Sequence, residues 1–203
     1  MIVKKSKGWK TSNEAPEEIY DSPEKYYTKD EVEKYARSGG IKKTQEKIAY
    51  RIIEFLTDEK KILDLGCGPG FTTGIYKKEG YDVTGIDIID DMLEKAKQKG
   101  LKVKNVDIKE LDKAFKKQEF DAVVSASALQ WLKGNNEIKA AAREINNVLK
   151  QEGKIVIQLY VKSEEELESI AKIFKKTGFA GGIIVDNPEN SMKRLCYIVM
   201  KKI

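Results

Sequence analysis

The sequence predicts an α/β fold, a doubly wound and mostly parallel sheet with helices on both faces and one late antiparallel strand. Three observations carry this. A glycine-rich turn, ILDLGCGPG between Ile62 and Gly70, joins an apolar strand to a helical stretch. Short apolar runs then alternate with helical patterns, the arrangement that parallel strands joined by crossover helices require. Near the end two apolar runs, 181–185 and 194–200, are separated only by the turn-rich link 186–191, which suits an antiparallel hairpin at the sheet's edge.

Residues 1–30 are polar, with Pro16 and Pro23 among acids and tyrosines, and read as a mobile or partner-ordered arm. Over 41–56 the apolar residues Ile48, Ile52, Phe55 and Leu56 fall on one helical face. The first strand, with Ile62, Leu63 and Leu65, is followed by the glycine turn and a short helix at 71–78. Then come a strand at 81–86, a helix at 90–99 opened by acids, and a strand at 101–106 with alternating lysines. A helix at 110–117 precedes the strongly apolar strand 120–126. A helix at 137–149, a strand at 154–161 and a helix at 164–176 lead to the final pair. The division expected is an arm and ligand lid over 1–40 and one α/β domain over 41–203.

At 203 residues the chain suits a single domain with a full core. No apolar run approaches the roughly 20 residues that span a bilayer, and MIVKKSKGWK lacks a signal-peptide core, so a cytoplasmic location is expected. Histidine is absent, which excludes an imidazole base or a His-containing triad. Two cysteines, Cys67 and Cys196, make neither a disulfide framework nor a zinc site, and no metal is expected. A net charge of +5 suits a polyanionic partner, although a lysine- and glutamate-rich surface also serves stability.

The turn spaces its glycines G-x-G-x-G, at Gly66, Gly68 and Gly70. The dinucleotide fingerprint G-x-G-x-x-G would need its third glycine at Phe71. A helix start behind the turn directs backbone N–H groups at an anionic or carboxylate-bearing ligand. In an open α/β sheet the ligand crosses the carboxyl ends of the strands. Asp87, about 20 residues beyond Gly66, is placed to accept both hydroxyls of a ribose. Asp107 either accepts from an adenine amino group, with Ile108 packed on the ring, or caps the helical stretch behind it. The segment SASALQWL puts Ser125, Ser127, Gln130 and Trp131 near the crevice, and Tyr160 ends the fifth strand. Trp131 and Tyr160 either shape and stack a substrate base or serve as packing. Cys67 has no cationic neighbour to activate its thiol and reads as a small space-filling residue of the loop.

With these motifs the chain resembles the class I, Rossmann-like S-adenosylmethionine-dependent methyltransferases; Asp64 ahead of the first glycine adds to the likeness. More narrowly it resembles the guanine-N7 methyltransferases of small-subunit ribosomal RNA and their archaeal relatives. The narrow part is APEEIYD, KYARSGGI with Gln45, SASALQWL, VIQLY and KTGFAGGIIVDNPENS. The resemblance implies S-adenosyl-L-methionine as cofactor, held by Asp64, Gly66, Cys67, Gly68, Gly70, Asp87, Ile88, Asp107, Ile108 and Ser125. Arg37 would meet the cofactor carboxylate or an RNA phosphate. Ser125, Gln130, Trp131 and Tyr160 would position guanine without a general base. It further implies a small zinc-binding activator protein along the edge strand from Leu101 to Val106. Eukaryotic relatives carry a basic extension after the last strand, whereas this sequence ends Lys201-Lys202-Ile203, so RNA docking falls to the N-terminal lysines or the partner. The competing functions are methylation of tRNA or a small molecule, and a non-catalytic cofactor-binding role in ribosome assembly.

Overall fold

The computed structural model describes residues 15–203. The sheet contains β1 (Lys61–Leu65), β2 (Asp82–Asp87), β3 (Val103–Asn105), β4 (Phe120–Ala126), β5 (Leu149–Leu159), β6 (Phe179–Asp186) and β7 (Leu195–Lys202). Their spatial order is β3-β2-β1-β4-β5-β7-β6. The ladders from β3 through β5 are parallel, and β7 runs antiparallel to both β5 and β6, as the apolar hairpin predicts. The strand order reverses between β1 and β4, which opens the crevice there.

Two apolar layers sandwich the sheet. On one face α4 (Gly39–Phe55) and α5 (Phe71–Lys78) bury Ile48, Ile52 and Tyr76 against Ile62, Val124 and Val156. On the other, α7 (Gly134–Val148) and α8 (Glu164–Lys176) bury Ile138, Ile145, Ile170 and Phe174 against Leu63, Val123 and Ile157. The alternation of β1 and β4 between these layers follows from the period of two in a strand. The helix α6 (Asp90–Gln98) carries Met92, which packs with Ile89 and with Val32 of α3 (Lys29–Arg37).

Four expectations change. Residues 15–30, expected within a mobile or partner-ordered arm, form short helices: α1 (Pro16–Ile19) and α2 (Pro23–Tyr26) each start on proline, whose fixed φ suits a first helical turn, and they lead into α3. The part of the arm over 1–14, with its lysines, lies outside the described residues. The strand expected over 101–106 shrinks to three residues because Leu101 plugs the space under Gly70 instead of joining the ladder; a side chain on Gly70 would come within 2.3 Å of it. The helix expected over 110–117 is a 3-10 segment, Ile108–Lys113, broken at Glu110 (φ −138°). Finally, β5 starts five residues early, at Leu149, and ends at Leu159, leaving Tyr160 just beyond the strand.

Candidate functional site

The site grows from the backbone at the ends of β1 and β2. Gly66 and Gly68 both have left-handed φ, +67° and +52°, a region costly for other residues. Their reasons for lacking a side chain differ. A Cβ on Gly66 would meet the Ala128 Cβ at 2.2 Å, whereas one on Gly68 would meet nothing within 4 Å. Gly68 faces a cavity of about 210 Å³ that it lines together with Gly66, Asp87, Ile88, Asp107 and Ile108.

Asp87 ties the loop to the sheet. Its Oδ2 accepts from the Gly68 N–H at 2.8 Å and its Oδ1 from the Ile89 N–H at 3.0 Å. Burial raises its carboxyl above the ordinary range, opposed by those N–H donors. Each oxygen keeps a lone pair, as the accepting group of a ribose diol requires. Asp107 combines its two expected roles: its Oδ1 caps the next segment by accepting from the Lys109 N–H at 2.8 Å, and it lines the cavity. Behind the loop Asp64 is 1% exposed; its Oδ2 accepts from Thr72 and Thr73 at 2.8 and 2.7 Å. Its Oδ1 has no partner, and burial pushes the carboxyl up to about 6 despite the two hydroxyls.

A second, larger cleft of about 1130 Å³ lies beside the cavity. Tyr27, Tyr35, Ser127 and Trp131 line both. The Trp131 ring lies 5.9 Å from Tyr26 and 5.8 Å from Tyr27, and Tyr35 stacks on Phe71 at 6.1 Å, so aromatic contacts bind the N-terminal helices to the sheet end. Burial, with the Asp87 charge second, pushes the Tyr35 phenol up to about 12, so it stays neutral. Ser127, itself at φ +59°, donates to Gln158 Oε1 at 2.8 Å and accepts from Gln45 Nε2 at 3.5 Å.

Not every expected residue reaches these cavities. Ser125 is fully buried and donates to the Leu65 carbonyl at 3.1 Å, stitching β4 to β1; Ser127, two residues on, takes the place on the wall. The Arg37 side chain is 82% exposed, pairs with Glu33 and lines neither cavity, because the last turn of α3 points it to solvent. Cys67 packs against Gly85, where a Cβ would meet its sulfur at 2.8 Å; burial, then the Asp87 and Asp64 charges, raise its thiol. Gly70 is held by Leu101, and neither it nor Asp64 borders the open space. Gln130 and Tyr160 line the larger cleft, Tyr160 being 44% exposed. The residues that the site reading missed are Tyr27 and Tyr35. Their signal was a set of tyrosines in an otherwise polar segment, since such rings seldom stay without a packing partner.

These residues fit S-adenosylmethionine. Gly68 leaves room for close approach, two carboxylates stand where a nucleoside presents donors, and Ile88 and Ile108 supply apolar walls. A volume of 210 Å³ is small for a whole ligand, and the shared opening into the larger cleft provides the rest. Sheet order and site together define a class I S-adenosylmethionine-dependent methyltransferase. Residues 63–157 match the family model described as a methyltransferase domain. The chain is 32% identical to the 18S rRNA (guanine-N(7))-methyltransferase of Schizosaccharomyces pombe over 88% of its own length and 71% of the relative's. To the 18S rRNA (guanine-N(7))-methyltransferase of Bos taurus it is 33% identical, over 90% and 70%. Among solved structures, a SAM-dependent methyltransferase from Methanosarcina mazei superposes with a TM-score of 0.63 at 18% identity, covering 75% of this chain and 97% of the other, which supports the fold. The chain belongs to the family of 18S rRNA (guanine-N(7))-methyltransferases.

Proposed function

We propose that this enzyme methylates N7 of a guanine in small-subunit ribosomal RNA. The observation that carries the proposal is the junction of the two cavities: the pocket beside Gly68 and Asp87 opens, past Tyr27, Tyr35, Ser127 and Trp131, into a cleft several times larger. That cleft is roomy enough for a nucleotide splayed from a polymer. The relatives named above act on 18S rRNA, which supports the same acceptor here.

Bound S-adenosylmethionine supplies a methyl group already activated by its sulfonium. Guanine N7 carries an unprotonated lone pair at neutral pH, so transfer needs alignment and exclusion of water more than a base. The chain's own residues serve those needs. Asp87 holds the ribose, Asp107 and Ile108 the adenine, and the Gly68 backbone borders the cofactor. Tyr27, Tyr35 and Trp131 keep water from the junction, and Gln130 and Tyr160 orient the base. Residues 15–40 act as a lid and 41–203 as the methyltransferase body.

We further infer an activator partner on β3. Its ladder bonds to β2 come from the even positions, as the Gly85 N–H to Lys102 carbonyl and Val106 N–H to Asp87 carbonyl bonds indicate. Val103 and Asn105 therefore offer backbone groups on the free edge, which a small zinc-binding protein would cover by strand addition. Val103→Pro removes an edge donor without touching the ladder. It is expected to abolish co-purification with such a partner while leaving the melting temperature of the isolated chain little changed.

The test of the function is to incubate chain and activator with unmethylated small subunits and labelled cofactor, then map methylguanine. Label at a guanine N7 of the small-subunit RNA is expected. Transfer to tRNA or a metabolite instead, or cofactor binding with no transfer, overturns it.

A further inference from the structure

The acceptor cleft carries an internal anion. Residues 15–24 contain four carboxylates, Glu17, Glu18, Asp21 and Glu24, and no cation, on a chain whose net charge is +5. Its first half, Ala15 to Glu18, lines the cleft and is held there by two lysines, while Asp21 and Glu24 line the smaller cavity. Lys133 Nζ donates to the carbonyls of Glu17 at 2.5 Å and Tyr20 at 3.1 Å. Lys162 Nζ pairs with Glu18 Oε1 at 3.3 Å. Both lysines and both glutamates line the cleft.

We propose that Lys133 and Lys162 form a phosphate-docking edge for RNA, and that segment 15–20 is a stand-in which the RNA backbone displaces. The inference rests on the ribosomal RNA reading and says where that polymer enters. Charge complementarity supports it, because these two lysines already bind one carboxylate, that of Glu18, and two main-chain oxygens in the place where phosphate oxygens would come. An exposed lysine–carboxylate pair is weak and salt-screened, whereas a polyphosphate releases counterions when it binds. Displacement is therefore downhill, and it exposes Tyr160, 44% accessible already, as a platform for a base. Before RNA arrives, the segment excludes other anions from the cleft.

The test measures binding of a labelled single-stranded fragment of small-subunit RNA to the full chain across a salt series. Glu17→Gln with Glu18→Gln is expected to tighten binding about three- to tenfold at low salt, and Lys133→Ala with Lys162→Ala to weaken it and reduce the salt slope by ~0.7 per lysine. In the combined variant the glutamine substitutions are expected to give no gain. Unchanged or weaker binding by the glutamine variant overturns the proposal, as does a gain that persists without the lysines, which would be a net-charge effect. Binding of poly-glutamate at this rim in preference to RNA would assign it to an acidic polypeptide and also overturn it. Should no RNA bind any form, the ribosomal RNA reading falls too; should wild type bind and methylate RNA without the expected cycle, only the displacement falls.

Discussion

The two adjoining cavities are built in different ways. The cofactor cavity has its floor at the ends of β1 and β2, where Asp87 is bonded to Gly68 and Ile89 N–H groups only 19 and 2 residues away, and residues between Asp21 and Tyr35 wall its other side. The acceptor cleft is made by side chains from segments far apart in the chain, such as Tyr26 against Trp131, Lys133 against Glu17, and Gln45 against Ser127. The first should tolerate little change in the loop. The second depends on lid helices whose own buried contacts are few: among residues of α1 to α3, only Val32 is fully packed. A site that must admit a polymer is better opened on that side.

Two neighbouring glycines give the widest contrast. Gly66→Ala combines a left-handed backbone with a 2.2 Å clash against Ala128 and should cost about 3 kcal/mol of stability in urea unfolding. Gly68→Ala carries only the backbone strain and should cost about 1 kcal/mol, yet its methyl enters the cavity, so cofactor affinity by calorimetry should fall more than tenfold. Equal losses of stability, or normal cofactor binding by Gly68→Ala, would show that the loop does not divide packing from ligand approach in this way.

That division also explains what the sequence made legible. The late antiparallel strand, the glycine turn and the places of Asp87 and the Asp107–Ile108 pair at strand ends follow from local spacing, because a parallel sheet fixes where each strand ends, whereas strand order comes only with the family resemblance. Ser125 and Ser127 could not be told apart by spacing alone. A strand covered on both faces buries Ser125 at 0% exposure, and Ser127 escapes it by turning to φ +59° after β4 ends. Tyr27 and Tyr35 were hidden for another reason. Their partners lie across the fold, and a polar segment with prolines has the composition of an unstructured arm whether or not a surface waits for it.

Asp64 sharpens the comparison on the cofactor side through pH. Its carboxyl is raised from 3.8 to about 6 by burial. A raised acid favours the folded state fully below the unfolded value and loses that contribution as pH rises through the folded one. Between pH 4.5 and 7.5 the wild type should therefore lose roughly 2 kcal/mol relative to Asp64→Asn, read as the change in their stability difference by denaturant titration. A pH-independent offset reflects amide packing and does not bear on this. A difference that stays flat with pH would mean that Asp64 is ionised at ordinary cost and that the loop rests on its two threonines alone.

The smallest effect is expected at Arg37, and it separates the two regions by a null result. A cationic side chain at the end of a short motif, beside a site for an amino-acid-bearing cofactor, invites a carboxylate contact. The structure instead leaves Arg37 82% exposed on α3 and paired with Glu33, which is also bonded to Lys95 on α6. Arg37→Ala should leave cofactor affinity within about twofold, since a screened surface pair contributes little. If RNA affinity falls and its salt slope shrinks while cofactor affinity holds, Arg37 belongs to the acceptor side and meets phosphate. A large loss of cofactor affinity would mean that α3 swings inward when the cofactor binds and brings Arg37 to it.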